Sequence, residues 1–323
     1  MIKIFPLLDF YLRHTPFSST KPSNLFQKND VFLAYDEEDC DILVAGRLNR
    51  NLLARILKYR SKKGYLVWTL EPRYDIHFQS RLKGFLGFPD IHFMTVYTGD
   101  IYLDNYSIPR YAIDRLLEPL DETNFSDFKH KKIVTLLSYK THSRKKWSLK
   151  KDGKELDLIY LRQEIALEGF YSGKVDIYGR RWSKDIALGE SRQNNWHGKK
   201  LEILNNYHFN LCFENTNFDY YWTEKIWDSI RGGCLPIYYG NNNKIYEDFP
   251  RKSFLDYCDF GSSKELFAYI DSMTVSEFRE RMNLCIEVYN RIYQKLQNSA
   301  PRRAMLQNII DKLQKIFDEI HLS

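Results

Sequence analysis

The sequence predicts an α/β chain of two doubly wound (Rossmann-like) domains facing across a cleft. Three observations predict it. A strand–helix–strand alternation occupies the N-terminal part, and a second begins near Ile133 and runs to Gly240. The length, 323 residues, exceeds what one hydrophobic core usually serves. Hydrophobic residues make up 43% and aromatic residues 15%, a globular composition that excludes a disordered chain.

The elements follow in order. MIKIFPLL and CDILVAG read as strands. NRNLLARILKYRSKKG has a helical period and is expected to end at Gly64, and YLVWTLEP is an apolar strand stopped by Pro72. Strand, helix and strand within about thirty residues make a βαβ unit and hence a parallel sheet. FPDIHFMTVYTGDIYLDNYSIPR carries few helix signals and is read as looser chain. KHKKIVTLLSYK opens the second domain with a buried strand after a basic lead-in. The basic run KTHSRKKWSLKKDGK, residues 140–154, is expected to be a solvated loop. Then come LDLIYLRQEIALEGF as helix, KVDIYG and HFNLCFEN as strands, NTNFDYYW as loop, TEKIWDSIRGG as helix and CLPIYYG as strand. SSKELFAYIDSM and VSEFRERMNLCIEVYNRIYQKLQ are later helices. In the tail, Pro301 suits a first helical turn, and Leu306, Ile309, Leu313, Ile316 and Ile320 share one face. Packing onto the first domain is the first reading of that tail, and peripheral membrane attachment is the second. The expected domains are 1–128, 129–300 and the tail helix 301–323.

The net charge of +6 suits an anionic small ligand, an anionic membrane surface or nucleic acid, and equally a surface excess without function. No nucleic-acid motif accompanies the basic run, so nucleic acid is not an expected partner. The five cysteines form no CxxC pair. Cys212 and Cys234 lie in apolar runs and read as buried thiols of a reducing compartment, not as zinc ligands. The N-terminal apolar stretch is interrupted by Pro6 and Asp9, too early for a signal peptide or anchor, so a cytoplasmic protein is expected. On that reading the glycosylation patterns at Asn105 and Asn124 go unused.

The chemistry concentrates between Glu214 and Lys225. Thr223 is placed to cap a helix, Glu224 suits its first turn, and Lys225 does not, by roughly 0.3–1 kcal/mol. A lysine there makes sense when an anion binds, because exposed N–H groups and an ammonium together suit phosphate. The adjacent carboxylate can accept two hydrogen bonds from a ribose diol. Glu214 and Asn215 end the preceding strand toward the same crevice, and Tyr220 and Tyr221 lie on the loop over it. Arg162, on the helix before KVDIYG, offers a bidentate second phosphate contact. Neither GxGxxG nor GxxxxGK[ST] occurs, which disfavours a dehydrogenase or P-loop enzyme.

FNLCFENTNFDYYWTEKIWDSIRGGCLPIYYG closely resembles the signature of the family 10 α1,3/4-fucosyltransferases, bacterial or viral in type. The matching residues are Phe213-Glu214-Asn215, Tyr221, Thr223-Glu224-Lys225, Pro236-Ile237, Tyr238 and Gly240. VDIYG and Arg162 match upstream, in the right order. The resemblance implies a GT-B fold with an N-terminal acceptor domain and a C-terminal GDP-fucose domain. It implies inverting transfer of L-fucose from GDP-fucose to a hydroxyl of N-acetylglucosamine or glucose in a glycan, lipid-linked or lipopolysaccharide acceptors included. By the same analogy Lys225 and Arg162 contact the diphosphate, Glu224 the ribose, and Asn215 and Tyr221 the donor, while Glu214 is read as serving donor binding, with a contact to the fucose ring as the other role. No cofactor is implied, since GDP-fucose is a substrate, and the residues do not speak to a divalent metal. A transferase using another GDP-sugar, a basic nucleic-acid-binding protein using residues 140–154 and a sugar-binding module without catalysis are the rival readings. An intact Glu224-Lys225 pair disfavours the last, because a lectin needs no diphosphate site.

Inversion needs one carboxylate to take the acceptor proton. Glu71 is the first candidate, since it ends the strand YLVWTLEP on the side of the expected cleft. The family carries a Glu-Pro or Glu-Ser-Pro element there, and this chain has Glu71-Pro72 without the Ser. Asp75, Asp100 and Asp104 are the fallbacks, and His77 reads as packing or acceptor contact.

Overall fold

The computed structural model describes residues 1–7, 15–17, 24–104, 112–126, 128, 131–141, 144–190, 196–241, 243–297 and 300–322. Asn105, Lys129 and His130 at the expected domain boundary, and His142 and Ser143 of the basic run, lie outside the described residues.

The chain forms two compact units, one of residues 1–103 with 300–323 and the other of 104–299. In unit 1, strands β1 (Ile2–Pro6), β2 (Val31–Leu33), β3 (Ile42–Ala45), β4 (Gly64–Trp68), β5 (Arg81–Leu82) and β6 (Ile91–Met94) make one sheet in the order β2-β1-β3-β4-β6-β5. All neighbours are parallel except β5 and β6. β3, β4 and β6 are buried at every position, as expected of parallel strands covered on both faces. Helix α1 (Asn24–Lys28) precedes β2, and α2 (Arg50–Tyr59) links β3 to β4. Asn49 caps α2 by accepting from Leu52 N at 3.0 Å.

Unit 2 holds β7 (Ile133–Leu136), the short helix α3 (Arg144–Trp147) and a hairpin of β8 (Lys150–Lys151) and β9 (Lys154–Glu155). There follow α4 (Ile159–Tyr171), β10 (Val175–Tyr178), β11 (Ala187–Gly189), α5 (Trp196–Leu204), β12 (Phe209–Leu211), α6 (Glu224–Arg231), β13 (Leu235–Tyr238), β14 (Leu255–Asp256), α7 (Ser263–Ser272) and α8 (Val275–Gln297). Its sheet is parallel throughout, ordered β11-β10-β7-β12-β13-β14. The last helix, α9 (Ala300–Leu322), returns to unit 1 and packs on β1, β3 and β4.

Four expectations change. The units divide after Leu103, not after residue 128. The reason is packing: Ala112 and Ile113 are buried in the unit 2 core, and Asn283 and Asn290 of α8 each hold both backbone groups of Leu120 and Leu117. Gly64 does not end α2, which stops at Tyr59 before a 3-10 turn, Arg60–Lys62. It opens β4 instead, where a Cβ would lie 2.2 Å from Ile316 Cγ2 of α9. The stretch FPDIHFMTVY is not merely loose, because it contains the buried strand β6. The basic run is likewise not all loop, since it carries α3 and the β8–β9 hairpin.

Candidate functional site

The site is built at the carboxyl end of β12. Alternate side chains of an extended chain share a face, which puts Asn210, Cys212 and Glu214 together. All three are buried. Beyond Glu214 the chain is held against the segment before α4. Leu158 N donates to Asn215 O at 3.1 Å, and Asn217 N donates to Leu156 O at 2.8 Å. That pairing brings the first turn of α4 alongside, and Arg162 Nη1 donates to Phe213 O at 3.1 Å.

Helix α6 starts at the same edge. Thr223 occupies the cap position with extended backbone, yet its side chain makes no capping bond. Its hydroxyl turns to Glu214, 2.8 Å from Oε1 and 3.0 Å from Oε2, while Thr223 N donates to Oε1 at 2.8 Å. Lys225 Nζ donates to Glu214 Oε2 and to Thr223 Oγ1, both at 2.6 Å. The negative partner that a lysine at a helix N-terminus calls for is therefore supplied first by Glu214. An ammonium has three N–H bonds, and these contacts use two.

A second cluster lies beside the first. Glu224 and Asp228 are four residues apart on α6 and so share a face. Lys200 of α5 reaches both, 3.2 Å from Glu224 Oε1 and 2.9 Å from Asp228 Oδ2. Burial pushes the Glu224 carboxyl up, but the Lys225 and Lys200 ammonium groups outweigh it and hold the group well below the usual carboxylate range. Burial likewise pulls Lys225 down, and Glu214 with Glu224 reverses that and raises it. For Asp228 burial wins over the pull of Lys200, and the carboxyl is raised. Arg162, Lys200, Glu224, Lys225 and Asp228 line one cavity of about 450 Å³ counting its open mouth, with Asn210 in its wall. Asn210 Oδ1 is buried there without a partner among the described residues.

Arg162, Glu224 and Lys225 are thus brought together, with Glu214 joined through Lys225. Asn215 and Tyr221 do not line this cavity. Tyr221 is buried in the loop before α6, and Tyr220 sends its hydroxyl to Glu247 Oε2 at 2.8 Å. Lys200 and Asp228 are absent from the sequence reading. A signal existed in α5, where Lys200 stands on the stripe of Ile203 and Leu204 at i+3 and i+4.

Glu71 belongs to unit 1, exposed just past the carboxyl end of β4, with its N–H donating to Thr69 Oγ1 at 3.1 Å. Two fallbacks are occupied by the fold. Asp75 is buried and accepts from Leu48 N at 2.9 Å, His77 N at 3.1 Å and the His77 ring. Asp100 pairs with Lys312 of α9 at 3.4 Å and accepts from Thr98 Oγ1. Asp104 opens unit 2, apart from Glu71 in the chain's division. His77 stacks on Phe93, with ring centroids 4.2 Å apart, so packing accounts for it.

Residues 162–282, which span this site, match the model of "Glycosyltransferase family 10 (fucosyltransferase) C-term". Over that segment the chain is similar to glycosyltransferase family 10. The alpha-(1,3)-fucosyltransferase FucT of Helicobacter pylori is 45% identical over 71 residues, 22% of this chain and 15% of that protein. Alpha-(1,3)-fucosyltransferase 7 of Bos taurus is 29% identical over 135 residues, 41% of this chain and 36% of that one. The chain therefore spans well under two thirds of these family 10 relatives. A crystal structure of an α1,3-fucosyltransferase with GDP-fucose is similar at 19% identity and a TM-score of 0.46, covering 87% of this chain and 81% of that one. So low a score adds nothing to the family assignment. Among the described residues no group of three or more His, Cys, Asp or Glu is placed to hold a metal ion.

Proposed function

We propose that the chain is an inverting α1,3-fucosyltransferase that moves L-fucose from GDP-fucose to a hydroxyl of N-acetylglucosamine or glucose in a glycan. One observation carries the reading. At the start of α6 a buried carboxylate aims an ammonium beside a guanidinium and a second carboxylate that is held ionised, all within the family 10 segment. The remaining N–H of Lys225 and the guanidinium of Arg162 suit a diphosphate, which gains charge as the sugar leaves. Glu224 suits the ribose hydroxyls, because an ionised carboxylate only accepts. Asn215 and Tyr221 complete the donor contacts on this reading, and the donor belongs to unit 2. Glu71 of unit 1 takes the acceptor proton. A lipid-linked or lipopolysaccharide oligosaccharide is the proposed acceptor, met at the cytoplasmic face of a membrane.

The test is a screen of nucleotide sugars for release of free nucleotide, with and without N-acetyllactosamine. GDP should appear from GDP-fucose, and faster with acceptor. Release from another GDP-sugar alone would reassign the donor, and no release from any would remove the reading.

A further inference from the structure

The end of β5 and the turn after it carry four large exposed apolar side chains in seven residues, Leu82, Phe85, Leu86 and Phe88. Phe85 is 75% and Leu86 77% exposed. The turn is tightly built. Phe88 N donates to Phe85 O at 3.1 Å, and the two residues between, Leu86 and Gly87, have φ of 52° and 79°. Gly84 N donates to Asp90 Oδ1 at 2.7 Å, and a Cβ on Gly84 would lie 1.9 Å from Phe88 O. A backbone closed this tightly cannot fold Phe85 and Leu86 inward.

The surroundings are basic. The Arg60 guanidinium lies 5.3 Å from the Phe88 ring centroid, which joins the end of α2 to the turn. Leu53 and Leu57, one helical turn apart on α2, are exposed as well. Arg60, Lys62 and Lys83 are exposed and make no ion pair among the described residues. The nearby acids are already engaged, Asp90 and Glu319 by Arg81, Glu37 by Arg55 and Glu38 by Lys58.

We propose that the 82–88 turn and the end of α2 dock on an anionic lipid bilayer. Phe85 and Leu86 enter the boundary between headgroups and acyl chains, and Arg60, Lys62 and Lys83 meet lipid phosphates. Charge complementarity favours lipid, since each basic residue at an anionic surface strengthens attachment. Shape favours it too. A narrow turn tip offers far less than the roughly 800 Å² per partner of a stable protein interface, but apolar tips beside cations are what interfacial segments present. The apolar face of α9 is not available, because Leu306, Ile309, Leu313 and Ile316 are spent in unit 1. Topology also fits. β4 and β6 are parallel, so Gly64 and the turn lie at their amino ends, while Glu71 follows the carboxyl end of β4. Attachment at the turn leaves the Glu71 edge of the sheet free.

The experiment is flotation of the full chain with vesicles of phosphatidylcholine alone and of phosphatidylcholine mixed equally with phosphatidylglycerol. Wild type should float with the anionic vesicles only, and be released by high salt. Arg60→Gln, Lys62→Gln and Lys83→Gln should each weaken binding by about fivefold. Phe85→Ser with Leu86→Ser should weaken it by about tenfold or more, with an unchanged melting temperature because both side chains are exposed. Absence of wild-type flotation, or full flotation of the Phe85→Ser/Leu86→Ser variant, overturns the proposal. Self-association that this variant abolishes, without lipid binding, makes the turn a contact between copies instead.

Discussion

Lys225 is held by a buried carboxylate, and that changes what its removal does. Lys225→Ala takes away the proposed phosphate contact and also strands Glu214 as a buried charge, which typically costs about 3–5 kcal/mol. A fall in GDP affinity with a fall in melting temperature is then ambiguous, and a second substitution separates the two. Adding Glu214→Gln to Lys225→Ala should recover much of the stability, while GDP binding measured by calorimetry stays weakened. Recovery of GDP binding with stability would move the phosphate contact elsewhere. Asp228 allows a test by pH. Its folded pKa is raised, so its ionisation opposes folding above the ordinary carboxylate range and has no effect once it is protonated in both states. Asp228→Asn should therefore raise the melting temperature near pH 7, with the gain fading as the pH falls through the raised pKa and absent below about 4. A gain that grows on acidification would contradict the sign. The sequence brought Arg162, Glu224 and Lys225 into one site because strand ends and helix starts converge in parallel sheets. It did not show Glu214 as the direct partner of Lys225, nor Lys200, because pairing across elements depends on side-chain directions that no periodicity encodes.

At the scale of elements, legibility followed length. α2, α4, α6 and α8 announced themselves by period, and β4, β7, β12 and β13 by apolar runs, that of β4 lying between Gly64 and Pro72. β5, β11 and β14 have two or three residues each and lack the longer apolar run that surrounds the equally short β12. β6 was hidden because His92 interrupts its apolar run, and the ring is kept inside by Glu319 Oε2 at 3.1 Å. Gly64 was misread because glycine after a helical run usually marks a left-handed cap, whereas here its missing side chain admits α9. That contact gives a prediction for the tail. Gly64→Ala should cost about 1–3 kcal/mol by overpacking against Ile316, and Ile316→Ala about 2–5 kcal/mol by leaving a cavity. The double variant should be destabilised by less than the sum, because the second change makes room for the first. Additive losses in denaturant unfolding would show that α9 does not seat on Gly64.

For the whole molecule, the chain's path decides which pieces stand alone. Unit 2 is one continuous stretch, 104–299, whereas unit 1 needs both ends of the chain. Cutting at residue 128 would strip Ala112, Ile113, Leu117 and Leu120 from the unit 2 core and from their bonds to α8. A fragment of 104–299 should therefore melt cooperatively, and one of 129–299 should melt lower or not fold. The proposed donor contacts all lie in unit 2, so 104–299 should bind GDP within a fewfold of the full chain, yet transfer no fucose. Glu71→Gln in the full chain should reproduce that split by a different route. The amide keeps the shape of the side chain but accepts no proton at neutral pH, so transfer to acceptor should fall by about 10²–10⁴-fold, with GDP affinity near wild type. The wild-type rate should show an acidic limb from one carboxylate, and the variant should lack it. Near-normal turnover in Glu71→Gln would shift the base to Asp75, Asp100 or Asp104, each then tested as Asn. Loss of GDP affinity along with turnover would place Glu71 in the donor site and end the division of labour between the units.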